Sequence, residues 1–406
     1  MLRLKEGEKT YKIFTSFFDV SLLLYFCAFV ILNNDELDMT GSDSLFRNLA
    51  TLSLLVSGTI LSYFCTNENR VPFSHNTYLK GYILFAVFCV FSILWASYPD
   101  YSISIIIALI RIIIIAFFLS RRICSKHDVH VFFLIFILMT LVRCIFVGTL
   151  MYAFYADDFI TYRFGANFNY NPNETALFCI CSVTFIVYYL FSFSQNKIVR
   201  VLGILLFLLF VIIIFLSQSR KGLVGLIVAP LLFFHFQGRS VLKYILVISG
   251  LALLLLFFVP SDFLVDIIGG SFDRMTSLFG SGKDTSTDLR ESYTNLALKM
   301  WEQNPLLGIG INNFAPLNTV LKGAYSHNNY VELLAGVGIC GFVLYYIPLL
   351  FVAIQKSKVS IHHVFKALVI VLIFLEMGNV AYQTFTFQSL YAILSIIVVL
   401  SKKAAL

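Results

Sequence analysis

Charged side chains are scarce in this sequence: Asp, Glu, Lys and Arg make up only 13% of the 406 residues, against roughly 25% in soluble globular domains. A soluble chain of this length needs more polar residues to cover its surface. Apolar runs of about 20 residues, the length that crosses a bilayer, follow one another along the chain instead. The composition therefore predicts an integral membrane protein and excludes secreted, fibrous, disordered and nucleic-acid-binding classes.

Cysteine patterns that would indicate a disulfide framework or a zinc site are also lacking. Of the eight cysteines, all but Cys124 lie in or beside apolar runs, and we interpret them as small apolar residues. The N-terminal apolar run has no small-residue cleavage site before the polar segment that follows it, so we expect a retained span rather than a signal peptide. The sequence predicts neither a metal site nor a cofactor.

The hydropathy pattern predicts an all-α polytopic membrane protein with about twelve transmembrane helices. An even number of spans places both termini on one side, and Lys and Arg fall mainly on alternate loops. The positive-inside rule makes that side cytoplasmic. The predicted spans are 13–32, 46–65, 79–97, 101–120, 129–153, 173–193, 199–217, 221–237, 241–259, 333–355, 364–382 and 386–401.

The predicted organisation is a single integral membrane domain in three sections. Residues 1–259 carry transmembrane helices 1–9, residues 260–326 form a large outer loop, and residues 327–406 carry transmembrane helices 10–12. The outer loop is far longer than the usual connection of about 4–6 residues. Long loops of this kind commonly carry function.

An amphipathic helix is predicted inside the outer loop. Asp288 followed three residues later by Glu291 is a helix-start pattern, and the helix is expected to end before Pro305. We interpret Gly308 and Gly310 as a turn. The helix either takes part in the chemistry or is a packing lid that covers the membrane face. Its apolar residues recur at helical spacing and are Leu289, Tyr293, Leu296 and Met300.

Histidine exchanges a proton near neutral pH more readily than any other side chain. Of the seven histidines, the predicted topology places only His327 on the outer side, at the end of the long loop. The glycines Gly336, Gly338 and Gly341 follow it and permit close backbone approach or a bent start to the next span. His327 is therefore the candidate catalytic residue, with an ordinary polar loop residue as the alternative.

Four arginines are predicted on the outer side: Arg163, Arg220, Arg274 and Arg290. A guanidinium group stays charged and its planar fork matches phosphate oxygens. Arginines that converge with a histidine at a membrane surface would suit a lipid-linked diphosphate, with the arginines on the leaving group and the histidine beside the attacking hydroxyl. The alternative for each arginine is snorkelling or headgroup contact.

Two arginines and two acids lie within predicted spans. A charge in the middle of a span costs at least about 2.5 kcal/mol and usually has a partner or a function. For Arg111 and Arg143 we favour structural pairing over catalysis, with Asp19 and Glu376 as possible partners.

The stretch from His327-Asn328 to Gly338 and Gly341 resembles the signature of the O-antigen ligases and polymerases, a superfamily of bacterial membrane enzymes. Residues 217–222 resemble the Ser-Arg-Gly connection of that family, although Lys221 intervenes before the glycine here.

Further segments resemble the same superfamily. They are residues 290–310, which resemble the outer-loop helix and its following turn, and Arg163 with the Asn171-Pro172-Asn173 segment. The resemblance is clearest over residues 160–350. Its motifs are specific for the superfamily but do not separate its members.

The resemblance implies transfer of a glycan from undecaprenyl diphosphate at the outer face of the cytoplasmic (inner) membrane, without a metal or a nucleotide sugar. The implied partners are the undecaprenyl-diphosphate-linked oligosaccharide, a lipid-linked or lipid A core acceptor, membrane lipids and a chain-length regulator. The candidate site comprises His327 as the catalytic residue, Arg220, Arg290 and Arg163 on the diphosphate, and Asn328, Lys221, Asn173, Gly338 and Gly341 in support.

Three functions remain open from the sequence. A polymerase moves the growing chain onto another lipid-linked repeat, and a ligase moves it onto lipid A core or another terminal acceptor. The His-Asn-Asn-Tyr-Val-Glu-Leu-Leu segment favours a polymerase. A lipid-linked oligosaccharide flippase also fits twelve spans, although the chain shows no two-fold repeat. A non-catalytic scaffold such as a chain-length regulator would have few spans and a coiled-coil outer domain.

Overall fold

A computed structural model describes most of the chain, and all regular structure in its described residues is helical. The described residues are 2–31, 41–64, 71–155, 162–166, 170–193, 196–240, 242, 245 and 285–403. Most of the predicted ninth span at 241–259, the outer-loop segment 260–284 and Arg274 lie outside them.

The described residues form α-helices joined mainly by short connections. The α-helices are α1 (Leu2–Ile31), α2 (Gly41–Phe64), α3 (Thr77–Phe91), α4 (Pro99–Arg122), α5 (Lys126–Tyr155), α6 (Pro172–Tyr188), α7 (Lys197–Leu216), α8 (Arg220–Phe236), α9 (Thr285–Gln303), α10 (Phe314–Leu317), α11 (Asn329–Ile354), α12 (Ser360–Leu375) and α13 (Phe385–Lys402). Short 3₁₀ turns occupy Phe73–His75, Ser92–Trp95 and Glu376–Gly378, and a π-helical turn occupies Tyr189–Phe193.

Ten helical segments of the described chain are long and apolar enough to cross a membrane. They are α1 to α7 and α11 to α13, and they correspond to ten of the predicted spans. The eighth predicted span forms α8, whose 17 residues extend about 26 Å at 1.5 Å per residue, short of a hydrocarbon core of about 30 Å. The protein is an all-α polytopic membrane protein, as the sequence predicts.

The chain forms two compact units, each made of two sequence segments. The first unit comprises Met1–Thr66 and Lys126–Gly280, and the second comprises Asn67–Ser125 and Ser281–Leu406. The three sections predicted from the sequence follow membrane topology, which this division does not test.

Helix α6 is the centre of the first unit and packs against α5, α7 and α8. Glycines let α8 approach it closely: a Cβ atom at Gly222 would lie 2.8 Å from Cβ of Ala176, and one at Gly225 would lie 2.4 Å from Cδ1 of Ile180. The side chains of α6 are buried from Thr175 to its end. This packing places the N-terminus of α8 beside the N-terminus of α6.

In the second unit, α3 packs against α11, and α4 packs against α13. Asn76 Nδ2 donates to Ser120 Oγ over 2.9 Å, so the start of α3 lies beside the end of α4. The main-chain N–H of Tyr98 donates to Asn313 Oδ1 over 2.7 Å, so the start of α4 lies beside the loop that leads to α11. One end of this unit therefore carries the basic termini of α3 and α4, and the other carries the segment around residue 313.

Helix α11 is broken at Gly338, whose φ of 61° and ψ of −168° are not helical. The loop that follows α9 takes over the main-chain hydrogen bonds that the break would leave unmade. These bonds run from Ile309 N to Ala335 O (2.9 Å), Gly310 N to Gly336 O (2.9 Å), Ile339 N to Pro305 O (2.9 Å) and Cys340 N to Leu306 O (3.2 Å). The predicted bend after His327 and the predicted turn after Pro305 are thus two sides of one structure.

We expect Gly338→Ala to destabilise the protein by about 3 kcal/mol, because a side chain there adds backbone strain to a steric clash. The added Cβ would lie 2.3 Å from the carbonyl oxygen of Leu306. The control is Gly323→Ala, at a glycine with φ of +89° that has no atom within 4 Å of its added Cβ. Thermal unfolding in detergent measures both variants, and equal losses would show that the contact with Leu306 does not matter.

Candidate functional site

The predicted site residues fall into two groups, one in each unit. In the first unit, Ser219 caps the start of α8, since its Oγ accepts the N–H of Gly222 over 3.2 Å. The same Oγ donates to Asn173 Oδ1 over 2.8 Å, and Asn173 belongs to the first turn of α6. The N-termini of α6 and α8 are therefore linked directly. Each helix N-terminus carries a partial positive charge of about half an elementary charge.

Arg163 is attached to the same corner of the first unit. Its Nε donates to the carbonyl oxygen of Ser217 over 3.2 Å, and the N–H of Phe164 donates to the carbonyl oxygen of Leu216 over 3.0 Å. Three residues beyond Ser217 the chain begins α8 with Arg220, which Lys221 follows. The main chain thus places Arg163, Asn173, Arg220 and Lys221 at one corner of the first unit, and we call these three cations and one amide the cationic cluster.

Arg143 pairs with the acid of this corner. Its side chain is 2% exposed, and its Nη2 lies 3.2 Å from Glu174 Oε2. Its Nε donates to Thr175 Oγ1 and its Nη1 donates to the carbonyl oxygen of Val30, each over 3.0 Å. The prediction that Asp19 or Glu376 pairs with Arg143 is wrong, because Glu174 takes that place. A structural role for Arg143 is what these contacts show.

The charge balance of this corner favours an anion. Arg163, Arg220 and Lys221 are concentrated at this corner, and Glu174 forms an ion pair with Arg143. Arg220 and Lys221 also stand at the positive end of α8, where like charge is unfavourable. A bound anion would relieve that repulsion and would accept hydrogen bonds from the helix N-termini.

In the second unit, the main chain of His327 has a φ of 58°. This is the left-handed region, which residues other than glycine rarely adopt. Contacts on both sides hold it there. Glu332 Oε2 accepts the N–H of Ser326 over 2.8 Å, and Asn328 caps α11 by accepting the N–H of Tyr330 over 3.0 Å. Backbone strain that the surroundings maintain in this way is typical of functional sites.

The ring of His327 lies between two tyrosines. Its centroid is 4.1 Å from that of Tyr325 and 6.1 Å from that of Tyr293. Tyr293 belongs to α9, and Arg290 precedes it by one helical turn on the same face. The structure therefore places Arg290 on the side of α9 that leads to His327.

The predicted amphipathic helix is confirmed as α9, and its apolar side packs against α11. Leu289 is 40% exposed and does not belong to this contact, contrary to the predicted pattern. The cluster is formed by Tyr293, Ala297, Phe314, Val331 and Ala335, with Leu296, Leu298, Met300 and Ala324 at its margin.

Glu376 does not pair with an arginine in the described part of the chain. It is 2% exposed and accepts hydrogen bonds from the Tyr346 hydroxyl (2.7 Å), the Tyr391 hydroxyl (2.8 Å) and Asn329 Nδ2 (2.9 Å). Asn329 follows His327 by two residues, and its Oδ1 also accepts the N–H of Ala381 over 2.9 Å. This network anchors the start of α11.

The sequence did not identify Glu332 as part of the site. A carboxylate one turn inside an apolar span is a signal for a buried partner, but its partner, the main-chain N–H of Ser326, cannot be read from composition. The predicted supporting glycines, Gly338 and Gly341, have structural roles in α11. Gly338 forms the break in α11, and a Cβ atom at Gly341 would lie 3.3 Å from Phe88 of α3.

The structure brings no group of three or more His, Cys, Asp or Glu side chains into position for a metal ion within its described ranges.

Residues 204–346 match the model of a family described as O-antigen ligase. The match covers about a third of the chain. The match confirms the resemblance to the O-antigen ligase and polymerase superfamily. The matched segment contains Arg220, Arg290 and His327, whereas Arg163 and Asn173 precede it. Comparisons with curated proteins and with solved structures give no match.

The matched segment extends from the middle of α7 through α8 and α9 to the middle of α11. It therefore includes the capped start of α8, the ring contacts of His327 and the break at Gly338. The apolar helices make the protein a multi-pass membrane protein, and the match supports a function of the O-antigen ligase and polymerase type in general.

We expect loss of the Glu332 carboxylate to lower activity by displacing His327. Glu332→Leu leaves the buried N–H of Ser326 without an acceptor, at a cost of about 1–3 kcal/mol, whereas Glu332→Gln keeps an acceptor oxygen and should retain more activity. The control is Glu302→Leu on the exposed side of α9. Initial rates of glycan transfer at matched expression measure the effect. Equal rates for Glu332→Leu and Glu302→Leu would refute a positioning role.

Proposed function

We propose that the protein is an O-antigen or capsular polysaccharide polymerase. It transfers an undecaprenyl-diphosphate-linked glycan onto a lipid-linked repeat unit at the outer face of the cytoplasmic membrane. The observation that carries this proposal is the cationic cluster at the linked N-termini of α6 and α8, because that arrangement suits a multiply charged diphosphate. Two members of the cluster, Arg220 and Lys221, also lie in the segment that matches the O-antigen ligase family.

The proposed reaction is a displacement at the anomeric carbon. The acceptor hydroxyl oxygen forms the new glycosidic bond while the bond from the anomeric carbon to the diphosphate oxygen breaks. His327 takes the proton of the hydroxyl. The diphosphate leaves with the bonding electron pair, and Arg163, Arg220 and Arg290 stabilise its charge.

The proposed orientation places His327 outside and the Arg121–Lys126 segment inside. The second unit supports it, because the basic residues at the start of α3 and at the ends of α4 and α13 lie at the end of the unit opposite His327. In a cysteine-free background, we expect an impermeant thiol reagent to label a cysteine at Lys322 but not one at Ser125 in intact cells. The reverse pattern would overturn both the orientation and the reaction scheme.

A purified assay separates the three candidate functions. A polymerase lengthens the glycan when the lipid-linked repeat is the sole substrate, and a ligase forms product only when lipid A core is supplied. A flippase moves the lipid-linked donor across a vesicle membrane without making a longer glycan. We expect longer glycans from the repeat alone. Product that depends on lipid A core would establish the ligase alternative instead.

The glycan pattern of a deletion strain tests the same point in cells. Loss of the polysaccharide ladder with a single repeat retained is the result expected for a polymerase. Complete loss of the capped core would indicate a ligase.

A further inference from the structure

A groove of about 570 Å³ lies between α5 and α7 in the first unit, within the range of about 300–1,000 Å³ that is common for ligand sites. Its walls are almost entirely apolar. The lining residues are Cys144, Ile145, Gly148, Thr149 and Tyr152 from α5, Phe164, and Leu209, Ile212, Ile213 and Leu216 from α7.

One end of this groove is joined to the cationic cluster. Phe164 and Leu216 line the groove, and the residues next to them in the chain are Arg163 and Ser217. The hydrogen bonds from Phe164 N to Leu216 O and from Arg163 Nε to Ser217 O hold both pairs together. The apolar groove and the cationic cluster therefore form one continuous surface within the first unit.

The groove is long in the direction of the helix axes. From Cys144 to Tyr152 the lining of α5 extends about 12 Å at 1.5 Å per residue. Aliphatic and aromatic side chains dominate it, so it offers few groups that could hydrogen-bond sugar hydroxyls. An apolar groove that ends at a cluster of cations matches a chain of isoprene units that ends in a diphosphate.

We infer that this groove binds the first isoprene units of the donor's polyprenyl chain while the cationic cluster binds its diphosphate. The inference rests on the proposed function and identifies where the lipid part of the donor lies. Because lipid tails are as apolar as these side chains, transfer from the bilayer provides little driving force. The benefit is positional, since a held chain keeps the diphosphate at one depth and in one orientation.

A matched pair of variants on α7 tests this inference. Leu209 lines the groove, whereas Leu205, one turn earlier on the same helix, is 57% exposed and does not line it. Leu209→Trp should fill the groove and raise KM for an undecaprenyl-linked donor by about tenfold, the scale of a changed contact in an apolar pocket. Leu205→Trp should leave KM unchanged.

Chain length of the donor separates this inference from the proposed function. With a donor that carries the same glycan on a single isoprene unit, Leu209→Trp and the wild type should have similar KM values. That unit stays near Leu216, and Leu209 lies about 10 Å farther along α7. If the wild type is active with both donors and Leu209→Trp raises KM equally for both, the groove is not the binding site of the polyprenyl chain. The proposed function would then still stand. Inactivity of the wild type with every lipid-linked donor would refute the function itself.

Photo-crosslinking tests occupancy without relying on activity. A photoreactive amino acid at position 209 should crosslink to labelled undecaprenyl diphosphate in nanodiscs, and one at position 205 should crosslink mainly to bulk phospholipid. Equal crosslinking of the polyprenyl lipid from both positions would show that the groove holds ordinary membrane lipid.

Discussion

His327→Ala should lower the rate of glycan transfer about 10²–10⁴-fold, the usual contribution of a positioned general base, while the protein still inserts in the membrane and binds its donor. A sugar hydroxyl is a weak nucleophile and needs a proton acceptor within hydrogen-bond reach. The left-handed backbone of His327 and its contacts with Tyr293 and Tyr325 hold the imidazole in one place. A purified assay with a lipid diphosphate donor and a lipid-linked acceptor measures the loss.

Two variants control this experiment. His75→Ala removes an exposed histidine from the opposite end of the second unit and should leave the rate unchanged. His327→Gln keeps a polar side chain that can orient the hydroxyl but cannot act as a base near neutral pH. Near-normal turnover of His327→Ala would remove the proton-transfer role. Loss of donor binding together with turnover would make His327 a binding residue instead.

Arg220→Lys and Arg290→Lys should each weaken donor binding about tenfold to a hundredfold, which corresponds to about 1.5–3 kcal/mol for a hydrogen bond to a charged group. Lysine keeps the positive charge but loses the planar fork that binds two phosphate oxygens at once. Equilibrium binding of undecaprenyl diphosphate, together with KM for the glycan-linked donor, measures the change.

Arg239→Lys is the matched control for the arginine variants. Arg239 follows α8 at its other end, where its Nη1 donates to the carbonyl oxygen of Phe191 over 2.8 Å. It should show no loss of donor binding. Arg163→Lys should lose less than Arg220→Lys, because Nε of Arg163 is already engaged with Ser217. Wild-type binding by both Arg220→Lys and Arg290→Lys would make a clamp that depends on guanidinium geometry untenable.

The membrane class, ten of the spans and the amphipathic helix α9 could all be predicted from the sequence. Each of these depends on a local property, because a run of apolar residues spans a bilayer wherever it packs, and the helical spacing around Tyr293 is visible in the sequence. The candidate residues His327, Arg220 and Arg290 could be selected for the same reason. Their chemistry is a property of the side chain and of its place relative to the spans.

Only the tertiary structure decided which groups meet. It paired Arg143 with Glu174 rather than with Glu376, and it surrounded Glu376 with hydroxyls and Asn329. It also joined Ser219 to Asn173 across two helix N-termini. Transmembrane helices are apolar on every side, so their sequences do not show which face contacts a neighbour. The partner of each buried polar group follows from helix packing, and contacts between residues distant in the chain set that packing.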